Sequence, residues 1–484
     1  MRIVEQESAL TDALSLARAE ALSAFGSDQL ILERAVVAPR HVEVQVLADA
    51  HGTTLHLGER DCSVQRRHQK VIEEAPSPAV DAELRARMGA AAVAAAADID
   101  YRGAGTVEFL LDADGSFFFL EMNTRLQVEH PVTESITGLD LVALQLDVAE
   151  GRPLPFGQDD VRLAGHSIEV RLYAEDPTRD FLPQTGDIAL WRPAAGVRTD
   201  AGIETGDIIS PHYDPLLAKI IAHGRDRATA RRRLVTALED TVLLGITHNR
   251  DFLRAALEHE AFAAGEATTH FIDDHAPQAS TSEDAAVLRL AAVAWYRARM
   301  SQALAQAPSI NDELEDWSSA TPLAQSCPFV SEASVQVTAL GGGSYAIDVD
   351  GEVDTLTVVG EAAGRLTVES GGALIDLDAL LDDDTLHLSC AEFAGQIGLA
   401  QSSSADADQS GDTVAAPMHG KVISIDVGVG DTVQADQRVA VVEAMKMQHA
   451  VTAPRDGRVS AVHCAEGDQV DADALLIELE PETE

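Results

Sequence analysis

An α+β multidomain chain is predicted by three features of the sequence: an opening that alternates helix-like and strand-like stretches, a middle of short strands broken by glycine pairs, and a duplicated C-terminal segment. The duplication is the most regular of these. Laid over each other without a gap, residues 416–443 and 453–480 match Ala416-Pro417 with Ala453-Pro454, Gly420 with Gly457, Val422 with Val459 and Gly430-Asp431 with Gly467-Asp468. Val433, Ala435, Asp436 and Glu443 likewise match Val470, Ala472, Asp473 and Glu480. Alternating apolar residues and Gly-Asp turns repeated in this way predict a small β-domain of two pseudo-symmetric halves.

Composition narrows the partners. The 484 residues carry 80 acidic and 35 basic side chains, a net charge of −45, which argues against nucleic acid or an anionic membrane as partner. Cys62, Cys327, Cys390 and Cys464 have neither metal-site nor disulfide spacing, so a reducing compartment is expected. The first twenty residues hold no apolar signal core, and the alanine-rich run at 90–97 is too short to span a bilayer. A cytoplasmic protein is the expectation.

Taken in order, Leu10, Leu14, Ala17, Ala21 and Phe25 keep nearly helical spacing, with Gly26 where the helix would stop. Val42, Val44 and Val46 alternate with Glu43 and Gln45, a strand leading through His51-Gly52 into a second. Arg60, Arg66, Arg67 and Lys70, with His68, then reverse the local sign of charge in an acidic chain. Guanidinium and ammonium groups so placed suit a bound anion, the alternative being a loop whose cations pair with neighbouring carboxylates.

Residues 106–111 and 116–121 are strand-like and flank Asp114-Gly115, a two-residue hairpin signal. A register with 113 opposite 116 sets Glu108 across from Glu121, where like charges repel. A divalent cation, Mg²⁺ or Mn²⁺, reverses the sign of that cost; an exposed edge with both carboxylates in water is the alternative. Asn123, Arg125, Gln127, Glu129 and His130 follow at once, a polar density that reads as a site.

Beyond residue 275, Ala285 to Ala303 is helix-like, with Trp295 and Tyr296 as packing aromatics. From Ser334 to Leu399, alternating segments broken by Gly341-Gly342-Gly343, Asp350-Gly351 and Gly371-Gly372 predict a barrel-like β region. The small polar stretch 402–412 reads as a flexible tether with a reach of roughly 20 Å. Lys446, between Met445 and Met447, joins the two halves of the C-terminal repeat and is expected on an exposed turn.

Two resemblances follow. Ala444-Met445-Lys446-Met447 within duplicated halves resembles the biotin carboxyl carrier domain, which implies a flattened β-barrel in which the matching lysine is amide-linked to biotin; a lipoyl domain is the weaker likeness. Pro39-Arg40-His41-Val42-Glu43, Arg60-Asp61-Cys62-Ser63, Gln65 to Lys70 and Glu121 to Pro131 resemble biotin carboxylases of the ATP-grasp superfamily. Ile168-Glu169-Val170-Arg171, Phe181-Leu182-Pro183 and Tyr213-Asp214-Pro215 with Lys219 extend that likeness to about residue 275. It implies a partial ATP-grasp domain at 1–132, a biotin carboxylase C-terminal domain at 133–275, a helix plus β-barrel-like subunit-interaction domain at 276–401, a linker at 402–412 and a biotinyl carrier domain at 413–484.

The resemblance also implies roles. Glu33, His41 and Gln65 would line the ATP pocket; Glu108 and Glu121, with Asn123 close by, would hold Mg²⁺ or Mn²⁺. Lys70, Arg125, Gln127 and the Val128 backbone would bind bicarbonate, and Glu129 would be its general base. Arg171 would stabilise the enolate-like oxygen of biotin as it loses a proton, and Cys62 is expected as a buried structural thiol. Bicarbonate is a poor electrophile, and phosphorylation by ATP makes it a reactive mixed anhydride, with metal and cations offsetting charge on the transferring phosphoryl group.

Arg34 stands where many relatives have lysine. The Gly-rich loop, two nucleotide-binding lysines and N-terminal α/β domain of that family have no counterpart, and Met1-Arg2-Ile3-Val4 resembles the tail of the loop. Weak or absent ATP-dependent carboxylation is therefore expected of this chain, and a carrier and assembly subunit with an inactive ATP-grasp remnant is the alternative. The implied partners are bicarbonate, a biotin protein ligase and a separate carboxyltransferase β subunit in a hetero-oligomer. Trp191-Arg192-Pro193 and the run 210–215 resemble subunits acting on methylcrotonyl- or geranyl-CoA, with propionyl- and acetyl-CoA open.

Overall fold

The computed structural model describes residues 4, 6–67, 69–306, 321–362, 364–382, 384–400, 412–444, 447–472 and 474–480. His68, the tether at 402–411 and Lys446 lie outside the described residues. Helix α1 (Leu10–Phe25) ends on Gly26, whose φ of 68° supplies the left-handed stop that the sequence predicts.

Strands β1 (Arg40–Ala48), β2 (Thr54–Arg66), β3 (Gln69–Ala75), β4 (Gly103–Leu111), β5 (Phe117–Asn123) and β6 (His166–Tyr173) join the strands Leu216–Gly224 and Arg198–Ala201 in one antiparallel sheet. Its order runs 198–201, 216–224, β6, β3, β2, β1, β4, β5. β3 pairs with β6, so the sheet continues without a break across residue 132. On one face Val42, Val44 and Val46 pack with Val107, Phe109 and Leu111 under α2 (Ala82–Asp98), whose N-cap Asp81 accepts from Leu84 N–H at 2.8 Å. The helices α3 (His130–Thr137) and α4 (Leu141–Ala149) follow β5, and α5 (Arg227–Asp240) and α6 (Arg250–Glu258) cover the core of β6 and 216–224.

Alternation in β1 reads as one buried face and one wet face, yet Glu43 and Gln45 are as buried as the valines. The second face is roofed by the loop 124–129 and α3, and its polar groups find partners there.

The β4–β5 hairpin corrects the predicted register at the turn. Asp112 N–H donates to Ser116 O (2.8 Å) and Gly115 N–H to Asp112 O (3.1 Å), so 112, not 113, stands opposite 116. Gly115 at φ 81° allows this three-residue loop. A bulge between Glu108 and Phe109 leaves Leu120 unopposed and returns Glu108 to a position across from Glu121. β5 is the sheet's edge, and Phe118, Phe119 and Leu120 are exposed along it.

The long helix Ala285–Gln306 buries Trp295 and Tyr296 inside an eight-stranded antiparallel meander that starts at Gln325 and ends at Gly398. A bridge from Phe329 to Leu399, with Val330 N–H on Gly398 O (2.8 Å), returns the last strand to the first and closes a barrel. Arg250, 1% exposed, fastens this barrel to α6: it pairs with Asp251 (2.7 Å) and donates to Ser389 Oγ (3.1 Å) and Cys390 O (2.8 Å).

In the C-terminal domain, strands Gly420–Ile425, Thr432–Val433 and Arg438–Ala444 recur as Gly457–Val462, Gln469–Val470 and Leu475–Leu479. The two four-stranded sheets exchange strands between halves, Gly420 pairing with Val470 and Val433 with Gly457, as a two-fold repeat requires. Ala444 pairs with Met447, bracketing the undescribed positions 445 and 446. Leu182, from the segment before the strand at 186, packs into this domain's apolar core. No helix among the described residues is long and apolar enough to cross a membrane.

Candidate functional site

The polar face of the large sheet gathers residues from β1 to β6, from the strand Leu216–Gly224 and from the loop before α3. Glu43 on β1 lies across from Arg60 on β2 and from Glu108 on β4, so the three side chains share a face. Lys70, at the start of β3, reaches Glu43 (2.6 Å), Glu108 (3.0 Å) and Glu129 (2.6 Å) with its single ammonium group. Arg171 on β6 donates from Nε to Glu73 (2.5 Å) and from Nη2 to Glu129 (3.0 Å). Glu129, 1% exposed, is therefore held between two cations, one on each carboxylate oxygen.

The electrostatics follow from burial set against these pairs. Burial alone raises the Glu43 carboxyl, but Lys70 and Arg60 hold it at about 2. Glu108 is similarly raised by burial and brought down to about 2 by the His41 hydrogen bond (2.8 Å) and by Lys70. Burial works against the Lys70 charge, and the surrounding Glu43, Glu129 and Glu108 outweigh it and raise its pKa. Burial pushes the Cys62 thiol well up, which makes it an inert neighbour.

Most of the residues singled out in the sequence converge here. Asn123 Nδ2 bridges Glu108 and Glu121, 3.0 Å from each, which holds the two carboxylates of the hairpin together. Glu121 is exposed while Glu108 is buried, so the pair is half in water. Gln127 donates to Glu108 (2.7 Å) and accepts from Arg60 (3.3 Å). Arg125 is exposed at the rim, 3.2 Å from the Asn123 oxygen. Val128 offers its carbonyl to Lys219 at 2.8 Å. His41, Glu43 and Glu108 place ligand atoms within 4.8 Å of one another, a buried donor set that suits a cation; Glu121 is outside that set. Gln65 sits on β2 opposite Lys70. Glu33 is not brought in: it is exposed on the coil before β1, and no described hydrogen bond or ion pair ties it to the cluster.

The basic run divides differently from the anion-site expectation. Arg60, 0% exposed, donates to Glu43 (2.6 Å), Gln45 (2.7 Å), Thr133 (2.9 Å), Thr106 (3.2 Å) and Gln127 (3.3 Å), a strut with no donor left over for a bound anion. Arg66 stacks over Phe181 at 4.4 Å, and Arg67 pairs with Asp180 at 2.5 Å. Of the four cations Arg60 and Lys70 enter the cluster, Arg60 with every donor engaged, while Arg66 and Arg67 turn to Phe181 and Asp180. Glu43, Glu73, Glu169 and Lys219 are site residues to which sequence reasoning gave no role, and Arg60 was read as part of an anion site. The polar alternation of β1 pointed to Glu43, and Glu169 and Lys219 stood within the motifs that carry the resemblance, whereas Glu73 had no signal of its own.

Comparison with known proteins places these features in a wider set. Residues 1–156 match the profile for the carbamoyl-phosphate synthase L chain ATP binding domain, 169–274 the biotin carboxylase C-terminal domain, and 412–479 the biotin-requiring enzyme domain. The mitochondrial methylcrotonoyl-CoA carboxylase subunit alpha of Dictyostelium discoideum is 40% identical over 93% of this chain and 68% of its own length. The mitochondrial propionyl-CoA carboxylase alpha chain of Homo sapiens is 39% identical over 99% of this chain and 69% of its own. Among solved structures, the biotin carboxylase domain of 2-oxoglutarate carboxylase from Hydrogenobacter thermophilus, in complex with MgADP, ADP and bicarbonate, aligns at 42% identity and a TM-score of 0.55, covering 57% of this chain and 61% of that one. The biotin carboxylase of Campylobacter jejuni, in a β,γ-ATP complex, aligns at 42% identity and 0.55, covering 57% and 62%. The chain thus spans about two thirds of these relatives' length and about three fifths of the solved chains.

Proposed function

The chain belongs to the alpha subunits of biotin-dependent acyl-CoA carboxylases, and from that premise we propose that it uses ATP to join bicarbonate carbon to biotin carried on Lys446. The observation that carries the reading is Glu129 fixed between Lys70 and Arg171. A carboxylate held there can accept the bicarbonate proton, while Lys70 and Arg171 offer positive charge to the anion that remains. Arg125 and Gln127 line the same rim and would hold bicarbonate with the Val128 N–H. Phosphorylation of that bicarbonate by ATP gives the mixed anhydride, whose lifetime depends on keeping water out.

Glu108 and Glu121, drawn together by Asn123, are the oxygen donors that would hold Mg²⁺, and the carboxylates are the part of this site that suits a hard cation. When bound, the metal supplies charge to the phosphate oxygens. Biotin, when bound, would supply the ureido nitrogen that takes up the carboxyl group, and Arg171 would be the cation that faces it. By the same reading a biotin protein ligase loads Lys446, a separate carboxyltransferase chain receives the carboxyl group, and methylcrotonoyl- or propionyl-CoA is its acceptor.

ATP cleavage by the full chain with free biotin, measured with and without bicarbonate, tests this. Weak turnover that requires bicarbonate and falls by about 10²-fold or more in Glu129→Gln is the expected result. Intact mass showing biotin on Lys446 without any bicarbonate-dependent cleavage would overturn it in favour of a carrier and assembly subunit.

A further inference from the structure

Next to Arg171 lie two carboxylates to which the reaction assigns no task. Glu73 on β3 and Glu169 on β6 are direct cross-strand partners, so both side chains stand on the same face of the sheet. Both are 0% exposed. Glu73 Oε1 accepts from Arg171, but Glu73 Oε2 and both oxygens of Glu169 are buried without a hydrogen-bond donor. Three orphaned anionic oxygens in one dry spot would be strongly destabilising, and two facing carboxylates cannot both stay ionised there.

The charged groups around Glu169 offer no other relief. From β3 it meets Glu73, from its own strand Arg171, from the strand Leu216–Gly224 Lys219, and from the loop before α3 Glu129. Lys219 is engaged with Val128 O (2.8 Å) and Asp200 (3.4 Å), and Arg171 with Glu73 and Glu129. What remains is a proton.

We propose that Glu73 and Glu169 share one proton at neutral pH and act as a positioning pair for Arg171: the neutral acid donates its O–H to the facing carboxylate, which keeps hold of Arg171 Nε and leaves Nη2 directed at Glu129. The sharing satisfies orphaned oxygens on both residues and leaves Arg171 between two anions instead of three. Burial and then Glu73 push Glu169 well above the ordinary carboxyl range, while burial, partly offset by Arg171, raises Glu73 to about 7. The consequence for Arg171 rests on the proposed function; the proton itself does not.

The sign of the pH dependence is fixed by those directions. A carboxyl whose folded value is raised contributes stability that is full below its ordinary value of about 4.5 and is lost as pH rises through the folded value. The wild-type chain should lose stability from about pH 4.5 upward through about pH 7, and Glu169→Gln, which copies the neutral acid, should flatten that decline.

Infrared spectra of the full chain at about pH 7 test the pair directly. The expected result is a carbonyl band of protonated carboxyl in the wild type that is diminished in Glu169→Gln, with urea unfolding of the variant less dependent on pH. Superimposable spectra in that region, or an unchanged pH dependence, would overturn the proposal. Should Glu169→Gln not fold, Glu73→Gln is read in the same two ways. A band diminished in the variant as expected, in a chain without bicarbonate-dependent ATP cleavage, keeps the pair and removes the proposed function, so the two failures are distinguishable.

Discussion

The large sheet and the C-terminal repeat are both antiparallel β-structure, but they are held together by different physics. The repeat has an apolar core of Val422, Val439, Val442, Val459, Leu476 and Leu479, and its longest pairings lie within units that copy each other at an offset of 37 residues, with short pairings exchanged between the halves. The polar face of the large sheet has buried charges instead, and their partners are distant in sequence, as with Glu73 and Arg171 or Arg60 and Gln127. Removing apolar volume from a core leaves a local cavity. Removing one member of a buried charge network leaves another charge stranded, and the damage spreads to everything that charge touches.

Arg60→Leu breaks the comparison at its strongest point. It removes one of the two cations that hold Glu43, leaving Lys70, and takes donors from Gln45, Thr106, Thr133 and Gln127, and should lower the stability of the large sheet by about 3–5 kcal/mol. Urea unfolding followed by hydrogen exchange would show the loss in β1–β4 while the C-terminal strands keep their protection. Equal loss in both regions would mean that the two share one cooperative unit.

Leu479→Ala is the reciprocal test. It should cost the C-terminal domain about 2–5 kcal/mol by leaving a cavity, with exchange at β1 unchanged. The least effect is expected at the edge of the large sheet. Phe119 is 60% exposed on β5, and Phe119→Ser should change stability by no more than about 0.5 kcal/mol in a thermal melt. A larger loss would mean that the edge of the sheet contributes to the order of the site beside it.

The same contrast explains what was legible in the sequence. The repeat was readable because its register is copied: Gly420 and Gly457, or Val433 and Val470, announce equivalent strands before any contact is known. The helix ending at Gly26 and the helix carrying Trp295 and Tyr296 were readable from spacing. The hairpin pairing of Glu108 with Glu121 came out as counted, although through a turn one residue longer and a compensating bulge, neither of which Asp114-Gly115 specifies. The basic run misled because charge density in a sequence does not say which way each side chain points. Arg60 is turned inward, Arg66 onto an aromatic ring and Arg67 outward.

By itself, then, the sequence determined the kinds of chemistry and the local frames: a lysine between the halves of a repeat, acidic residues on a hairpin, and a polar run ending in Glu129. Local periodicity and turn residues act over a few positions, so they can be read without a fold. Only the tertiary structure decided that Lys70 would serve three carboxylates, that Arg60 would be a strut, and that Glu169 would be buried opposite Glu73 with no donor of its own. Those outcomes depend on β3 pairing with β6 across nearly a hundred residues, and burial of a charge becomes meaningful only once the groups that surround it are in place.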